Sequence, residues 1–120
     1  MSDQILEQFK KTLISFLDEL ISQFSNDSEL IFMRIMVKDQ ISTKKLMNHF
    51  LLKLVEGREK IKERNDEIFK SDFFTFGKIN GLKRIKQMWI RNEIHKDDKE
   101  TIWTWLDVIV ILCDKYTKND

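Results

Sequence analysis

The sequence predicts an all-α protein, a compact bundle of five to six helices in a single domain spanning residues 1–120. Three observations predict this fold. The chain contains no proline and only three glycines, so the residue types that most often interrupt helices are scarce. Apolar residues recur at spacings of three and four, the period of one helix face. A length of 120 residues suits one hydrophobic core and not two.

The first third of the chain predicts two helices. Apolar residues at helical spacing indicate a helix over residues 3–24, and the polar cluster 25–28 is typical of a turn. A second helix is expected over residues 29–37. Its main apolar residues are Leu30, Phe32, Met33, Ile35 and Val37.

A third helix is predicted to begin after Ser42, which has the position of an N-cap. Ile41 and Leu46 then have the spacing of a hydrophobic staple. Gly57 either ends this helix or softens it, and residues 58–69 predict an exposed helical extension because their apolar residues are sparse. The expected apolar face consists of Leu46, Met47, Phe50, Leu51, Leu54 and Val55.

The second half predicts a loop and two more helices. Three Phe residues within 73–77 cannot share one helix face, so a loop that plugs the end of the bundle is expected. A short helix over residues 80–91 follows, with Leu82, Ile85, Met88 and Trp89 inward. Asp97 as N-cap and Glu100 three residues later predict the start of the last helix. That helix is apolar almost all round, so it is either the central rod of a bundle or has one face given to a partner.

The residues that carry catalysis or bind metals are few, and none forms a known motif. Cys113 lies in the most apolar run, where a thiol is inert. His49 suits a packing role, and His95 with Asp97 and Asp98 fits a helix start better than a metal site. No glycine-rich phosphate loop is present. The sequence therefore predicts a protein that is not an enzyme and has no cofactor or metal.

Location and partners are also constrained by composition. The absence of a signal peptide pattern and the single cysteine suit the cytoplasm. No apolar stretch reaches the ~18 residues of a membrane span. Charge is uneven: residues 1–30 carry six acidic and two basic groups, and residues 77–96 carry six basic and one acidic. Either the helices complement one another, or a basic surface meets an acidic partner.

Nucleic-acid binding is the alternative function. The segment 78–91 contains no acidic residue, and its cations are Lys78, Lys83, Arg84, Lys86 and Arg91. Basic side chains neutralise phosphates, and an exposed Trp89 could stack on a base. The net charge of +1 and the inward position expected for Trp89 argue against this function.

Three stretches of the chain carry a resemblance: residues 44–50 (KKLMNHF), residues 61–69 (IKERNDEIF) and residues 100–106 (ETIWTWL) running on to Lys115 and Tyr116. In these the chain resembles small uncharacterised α-helical proteins of the nucleocytoplasmic large DNA viruses of algae and amoebae. The resemblance covers residues 15–116 and implies no catalytic residue or ligand. It implies a virus-encoded protein, in the host-cell cytoplasm or in the virion.

The function predicted from the sequence is a protein-interaction or structural module, with a protein partner or self-association. Trp and Arg are the commonest interface anchors, so the candidate interaction surface is Lys83, Arg84, Lys86, Arg91, Trp103 and Trp105. The two tryptophans point about 200° apart on a helix. We expect the second of these faces to be covered partly by another molecule; the alternative is a helix wrapped entirely by its own domain.

Overall fold

Five α-helices make up most of the chain in the computed structural model, which describes residues 2–24, 27–70, 73, 75–76, 79–80 and 82–118. They are α1 (Ser2–Gln23), α2 (Ser28–Ile35), α3 (Thr43–Lys62), α4 (Lys83–Ile90) and α5 (Lys96–Lys118). A π-helical segment (Met36–Gln40) continues α2, and a 3₁₀ helix (Asp66–Phe69) follows α3. Two strands of two residues each, β1 (Thr75–Phe76) and β2 (Ile79–Asn80), pair antiparallel. The predicted all-α bundle is confirmed.

The core lies between α1, α3 and α5, which pack against one another in all three combinations. Phe9 of α1, Leu46 of α3 and Leu106 of α5 are completely buried. Burying such a side chain contributes about 1.5–3 kcal/mol relative to leaving it exposed. α2 packs on α1, and α4 packs on the 3₁₀ helix. The buried apolar side chains of all five helices form one continuous cluster.

The starts of α2 and α3 follow the expected capping chemistry. The Asp27 carboxylate accepts the backbone N–H of Glu29 at 2.9 Å and that of Leu30 at 3.4 Å. The Ser42 hydroxyl accepts the backbone N–H of Lys45 at 3.2 Å, as predicted. Both side chains satisfy N–H groups that have no partner within their own helix.

The start of α5 differs from the prediction. The helix begins at Lys96, and the carbonyl of His95 accepts the backbone N–H of Lys99 at 3.1 Å. Nδ1 of the His95 ring accepts the backbone N–H of Asp97 at 3.2 Å. His95 is therefore the N-cap, and the prediction of Asp97 was wrong. Asp97 and Asp98 lie in the first turn, where the helix dipole favours carboxylates.

The end of α3 lacks the glycine that usually signals the end of a helix. Arg64 has φ of 55°, and the Asn65 N–H bonds to the Lys60 carbonyl at 2.7 Å while the Arg64 N–H bonds to that of Ile61 at 3.1 Å. This pair of bonds is a Schellman motif, usually built on glycine. Asn92, with φ of 58°, follows the end of α4.

The segment after Gly57 is not the exposed extension that was expected. α3 continues through Gly57, and Ile61, Ile68 and Phe69 are buried, because the turn at residue 64 folds the 3₁₀ helix back onto the bundle. Gly57 lies against Phe73: a Cβ at position 57 would come 2.9 Å from Cε2 of that ring. Phe73 is buried, as the plug hypothesis requires; Phe74 lies outside the described residues.

Candidate protein interface

Cys113, His49 and His95 are the residues singled out from the sequence as types that carry nucleophilic or metal chemistry. Burial, followed by the neighbouring Asp114 carboxylate, raises the pKa of the Cys113 thiol to about 12. Over the described part of the chain, no three Cys, His, Asp or Glu side chains come together as a metal site. His95 serves as a helix cap.

Trp103 lies in the core, with 4% of its surface exposed. Its ring meets Phe69 and Trp89 edge-on, at a centroid distance of 5.4 Å in each case. The Arg64 guanidinium lies 5.6 Å from its centroid. Trp103 was assigned to the candidate interaction surface, and the structure corrects this assignment, because the 3₁₀ helix and α4 cover this side of α5.

Trp105 faces α1 and is half-buried. Its ring stacks on Phe16 with centroids 5.5 Å apart, and its Nε1–H donates to a Glu19 carboxylate oxygen at 2.8 Å. Each indole of α5 is therefore covered by the same chain. The alternative of a helix wrapped by its own domain therefore holds for Trp103, which is not available as an intermolecular anchor, whereas Trp105 keeps part of its surface exposed.

The predicted cations are displayed on α4 and at its end. Ile85 and Trp89 are buried and fix the helix on the bundle, which leaves Lys83, Arg84 and Arg91 exposed and Lys86 half-buried. Lys78 lies outside the described residues. Within the described part of the chain, Lys83 and Arg91 make no ion pair. Ile90, which the sequence analysis did not single out, is 54% exposed on the same helix.

A groove of about 490 Å³ separates α4 from the start of α2. It is lined by Asp27, Ser28, Glu29, Lys83, Arg84 and Gln87. An Arg84 guanidinium nitrogen lies 3.9 Å from Asp27 Oδ2, so this contact is long for a hydrogen-bonded ion pair. The groove therefore has acidic groups on its α2 side and basic groups on its α4 side.

The outer face of α2 exposes three large apolar side chains, Ile31, Phe32 and Ile35, and Phe32 is 49% exposed. Ser28 of the groove lies three, four and seven residues before them, on the same side of the helix. The groove thus leads from the cations of α4 to this apolar face. We name the α2–α4 surface as the set Ile31, Phe32, Ile35, Lys83, Arg84, Ile90 and Arg91.

The apolar part of the α2–α4 surface was missed because residues 30–37 are apolar at every position except Arg34. Such a run has no period from which an inward face can be chosen. The sequence does signal the exposure in one way, through the large number of apolar residues in this run. A short helix packed on one neighbour cannot bury apolar residues on every side.

α3 also exposes apolar side chains. Leu52 and Val55 lie on its outer side, and Val55 is 79% exposed, although the sequence placed it in the buried face. Leu54, one position earlier and also in the predicted face, is buried. These two residues are separate from the α2–α4 surface, so they offer a matched control for it.

Two arginines that line a groove between α3 and α5 are already paired with aspartates. Arg58 pairs with Asp114 at 2.8 Å, and Arg64 pairs with Asp107 at 2.7 Å. A side-chain hydrogen bond to its aspartate is the largest cause that raises the pKa of each arginine. These pairs hold α3 to α5 and neutralise the charge of both arginines.

Comparisons with protein-family models, with curated proteins and with solved structures find no match. None of the described helices is long and apolar enough to cross a lipid bilayer.

Proposed function

We propose that the protein is a non-catalytic binding module and that the α2–α4 surface is where it contacts a protein partner. The observation that carries this proposal is the exposure of Ile31, Phe32 and Ile35 on one face of a folded helix. Contiguous apolar patches on a soluble domain mark interaction sites, whereas single exposed apolar residues need no explanation.

The setting that we propose is a virus-encoded factor in the host-cell cytoplasm or the virion. Its support is the resemblance of residues 44–50, 61–69 and 100–106 to proteins of large DNA viruses.

The test of the proposed function is a pair of matched double variants. Phe32→Ser with Ile35→Ser alters the α2–α4 surface, and Leu52→Ser with Val55→Ser alters the same kind of exposed apolar pair on α3. Wild type and both variants are used to capture partners from the native cell, read by quantitative mass spectrometry. Circular dichroism and thermal melting establish that each variant is folded.

The proposal requires one reproducible partner that the α2 variant loses and the α3 variant retains. If that partner is a second copy of this chain, sedimentation of the wild type at micromolar concentration shows a dimer that the α2 variant abolishes. A partner that both variants retain, or that only the α3 variant loses, contradicts the assignment of the surface.

The cationic residues of α4 favour nucleic-acid binding as a second candidate. Against it, Trp89 is buried and stacks on Phe69 at a centroid distance of 4.1 Å, so it is not available to a base. Asp27 and Glu29 border the groove and repel phosphates.

Its test is the reversal of Lys83, Arg84, Lys86 and Arg91 to Glu. We expect no wild-type binding to oligonucleotides above background at ~0.15 M salt, since phosphate contacts weaken steeply with salt. A complex that survives there and disappears in the reversed variant favours the second candidate.

A further inference from the structure

We infer that the segment that binds the α2–α4 surface is an acidic amphipathic helix of a partner protein, with its apolar side on α2 and its carboxylates on α4. This inference rests on the proposed function and names the chemistry of the partner.

The charge of α4 selects an acidic partner. Lys83, Arg84, Lys86 and Arg91 lie in and just after an eight-residue helix that contains no acidic residue. Lys83 and Arg91 have no ion pair within the described residues. Arg84 has its nearest carboxylate at 3.9 Å, and that carboxylate already caps α2 through the N–H of Glu29 at 2.9 Å. A carboxylate that approaches this helix therefore meets Lys83 and Arg91 as cations that are still open to pairing.

The apolar residues select an amphipathic partner over a merely acidic one. Ile31 and Ile35 are four residues apart on α2, so they lie one turn, or about 6 Å, apart on one side of the helix. Phe32 lies beside them. A partner helix with apolar residues at the same spacing buries this face, as in other helix-in-groove complexes. A polyanion that lacks an apolar side would leave this apolar face of α2 exposed to water.

The groove sets the position of the acidic residues. Asp27 and Glu29 lie at the end of the surface where Lys83 and Arg84 begin, so like charges disfavour partner carboxylates there. Arg91 lies about 12 Å further along the axis of α4, next to the exposed Ile90. The acidic residues of the partner should therefore pair with Lys83 and Arg91, about two turns apart, and should avoid the part of the groove next to Asp27 and Glu29.

The test measures fluorescence anisotropy of labelled synthetic helices against the whole protein. The first helix has a leucine face and glutamate flanks. Three others replace its glutamates by glutamine, replace them by lysine, or replace its leucines by serine. A single-stranded oligonucleotide is the fifth probe. We expect the acidic amphipathic helix to bind at least about tenfold tighter than the other four, and to weaken as salt rises.

Variants then locate the contact. Lys83→Glu with Arg91→Glu should weaken the acidic helix by about tenfold, the product of two exposed ion pairs, and should strengthen the lysine helix. Phe32→Ser with Ile35→Ser should weaken the acidic helix and the glutamine helix alike. Lys44→Glu with Lys45→Glu, which reverses two exposed cations at the start of α3, is the control and should leave all affinities unchanged.

Each other result has a defined meaning. If the glutamine and lysine helices bind as tightly as the acidic one and all are weakened by the α2 variant, the acidic partner is wrong and the proposed function stands. If no helix binds, the acidic partner is wrong, and the capture experiment decides the function by itself. If the oligonucleotide binds tightest, both are overturned in favour of nucleic acid.

Discussion

Gly57→Ala should destabilise the protein, which is opposite to the usual effect of this substitution inside a helix. Alanine in place of a helical glycine normally stabilises by about 0.5–1 kcal/mol. Here the new Cβ would lie 2.9 Å from Cε2 and 3.0 Å from Cδ2 of Phe73, closer than real Cβ contacts allow. Overpacking of this kind costs about 1–3 kcal/mol, so the overpacking outweighs the helix propensity.

The Phe73 ring has little freedom to move away. It packs edge-on against Phe50 at a centroid distance of 5.8 Å, and its backbone carbonyl lies 3.2 Å from Nε2 of His49. We therefore expect Gly57→Ala to lower the free energy of unfolding by about 1 kcal/mol, or the melting temperature by about 4 °C.

Urea denaturation followed by circular dichroism measures this change. A double-mutant cycle with Phe73→Leu isolates its cause, because the smaller side chain makes room for the new methyl group. Gly57→Ala should then cost less in the Phe73→Leu background than in the wild type, by roughly 1 kcal/mol. Stabilisation by Gly57→Ala in the wild type, or additive effects of the two substitutions, would refute the close approach.

Substitutions at three other positions test the interior and the helix ends. Leu106→Ala, at a completely buried position, should cost about 2–5 kcal/mol in urea denaturation; a loss below ~1 kcal/mol would place this face of α5 at a surface. The Cys113 thiol has its pKa raised to about 12 from 9.0, so above pH 9 the unfolded state releases a proton that the folded state retains. As the pH rises above 9, the free energy of unfolding of the wild type should therefore fall faster than that of Cys113→Ala, by up to about 1.4 kcal/mol per pH unit. Parallel pH profiles of the two proteins would contradict the raised pKa. Asn92→Ala should cost about 1 kcal/mol and Asn92→Gly almost nothing, because φ of 58° is accessible to glycine and strained for alanine; equal thermal melts of the two variants would show that this turn relaxes.

The sequence was sufficient for the helices with a clear period and insufficient for their ends. α1, α3 and α5 follow from apolar spacing, and the Ser42 cap follows from local chemistry. The end of α3 does not, because Arg64 adopts a left-handed conformation with no glycine to mark it. Its conformation is held by long-range contacts, a bidentate pair with Asp107 at 2.8 and 2.7 Å and the Trp103 ring.

The candidate interface was predictable in its charges and not in its apolar part. Lys83, Arg84 and Arg91 are exposed because Ile85 and Trp89 define the inward side of α4 by period alone. The exposure of Phe32 and the burial of Trp103 depend on which neighbour covers each helix. Those neighbours are far apart in sequence, so no local pattern records them.

The position of α5 in the chain has a consequence for synthesis. The apolar side of α1 packs against α5, whose last residue, Lys118, is made about 95 residues after the end of α1 at Gln23. At 5–20 residues per second this takes roughly 5–20 s. During that interval the nascent chain displays the side of α1 that includes Phe16, whose ring stacks on Trp105 of α5 in the folded protein, without its final cover. A chain that stops before residue 96 never acquires that cover. Chaperones that recognise exposed apolar helices therefore have a defined period in which to engage each new molecule, and a transcript truncated before α5 yields a product prone to aggregation.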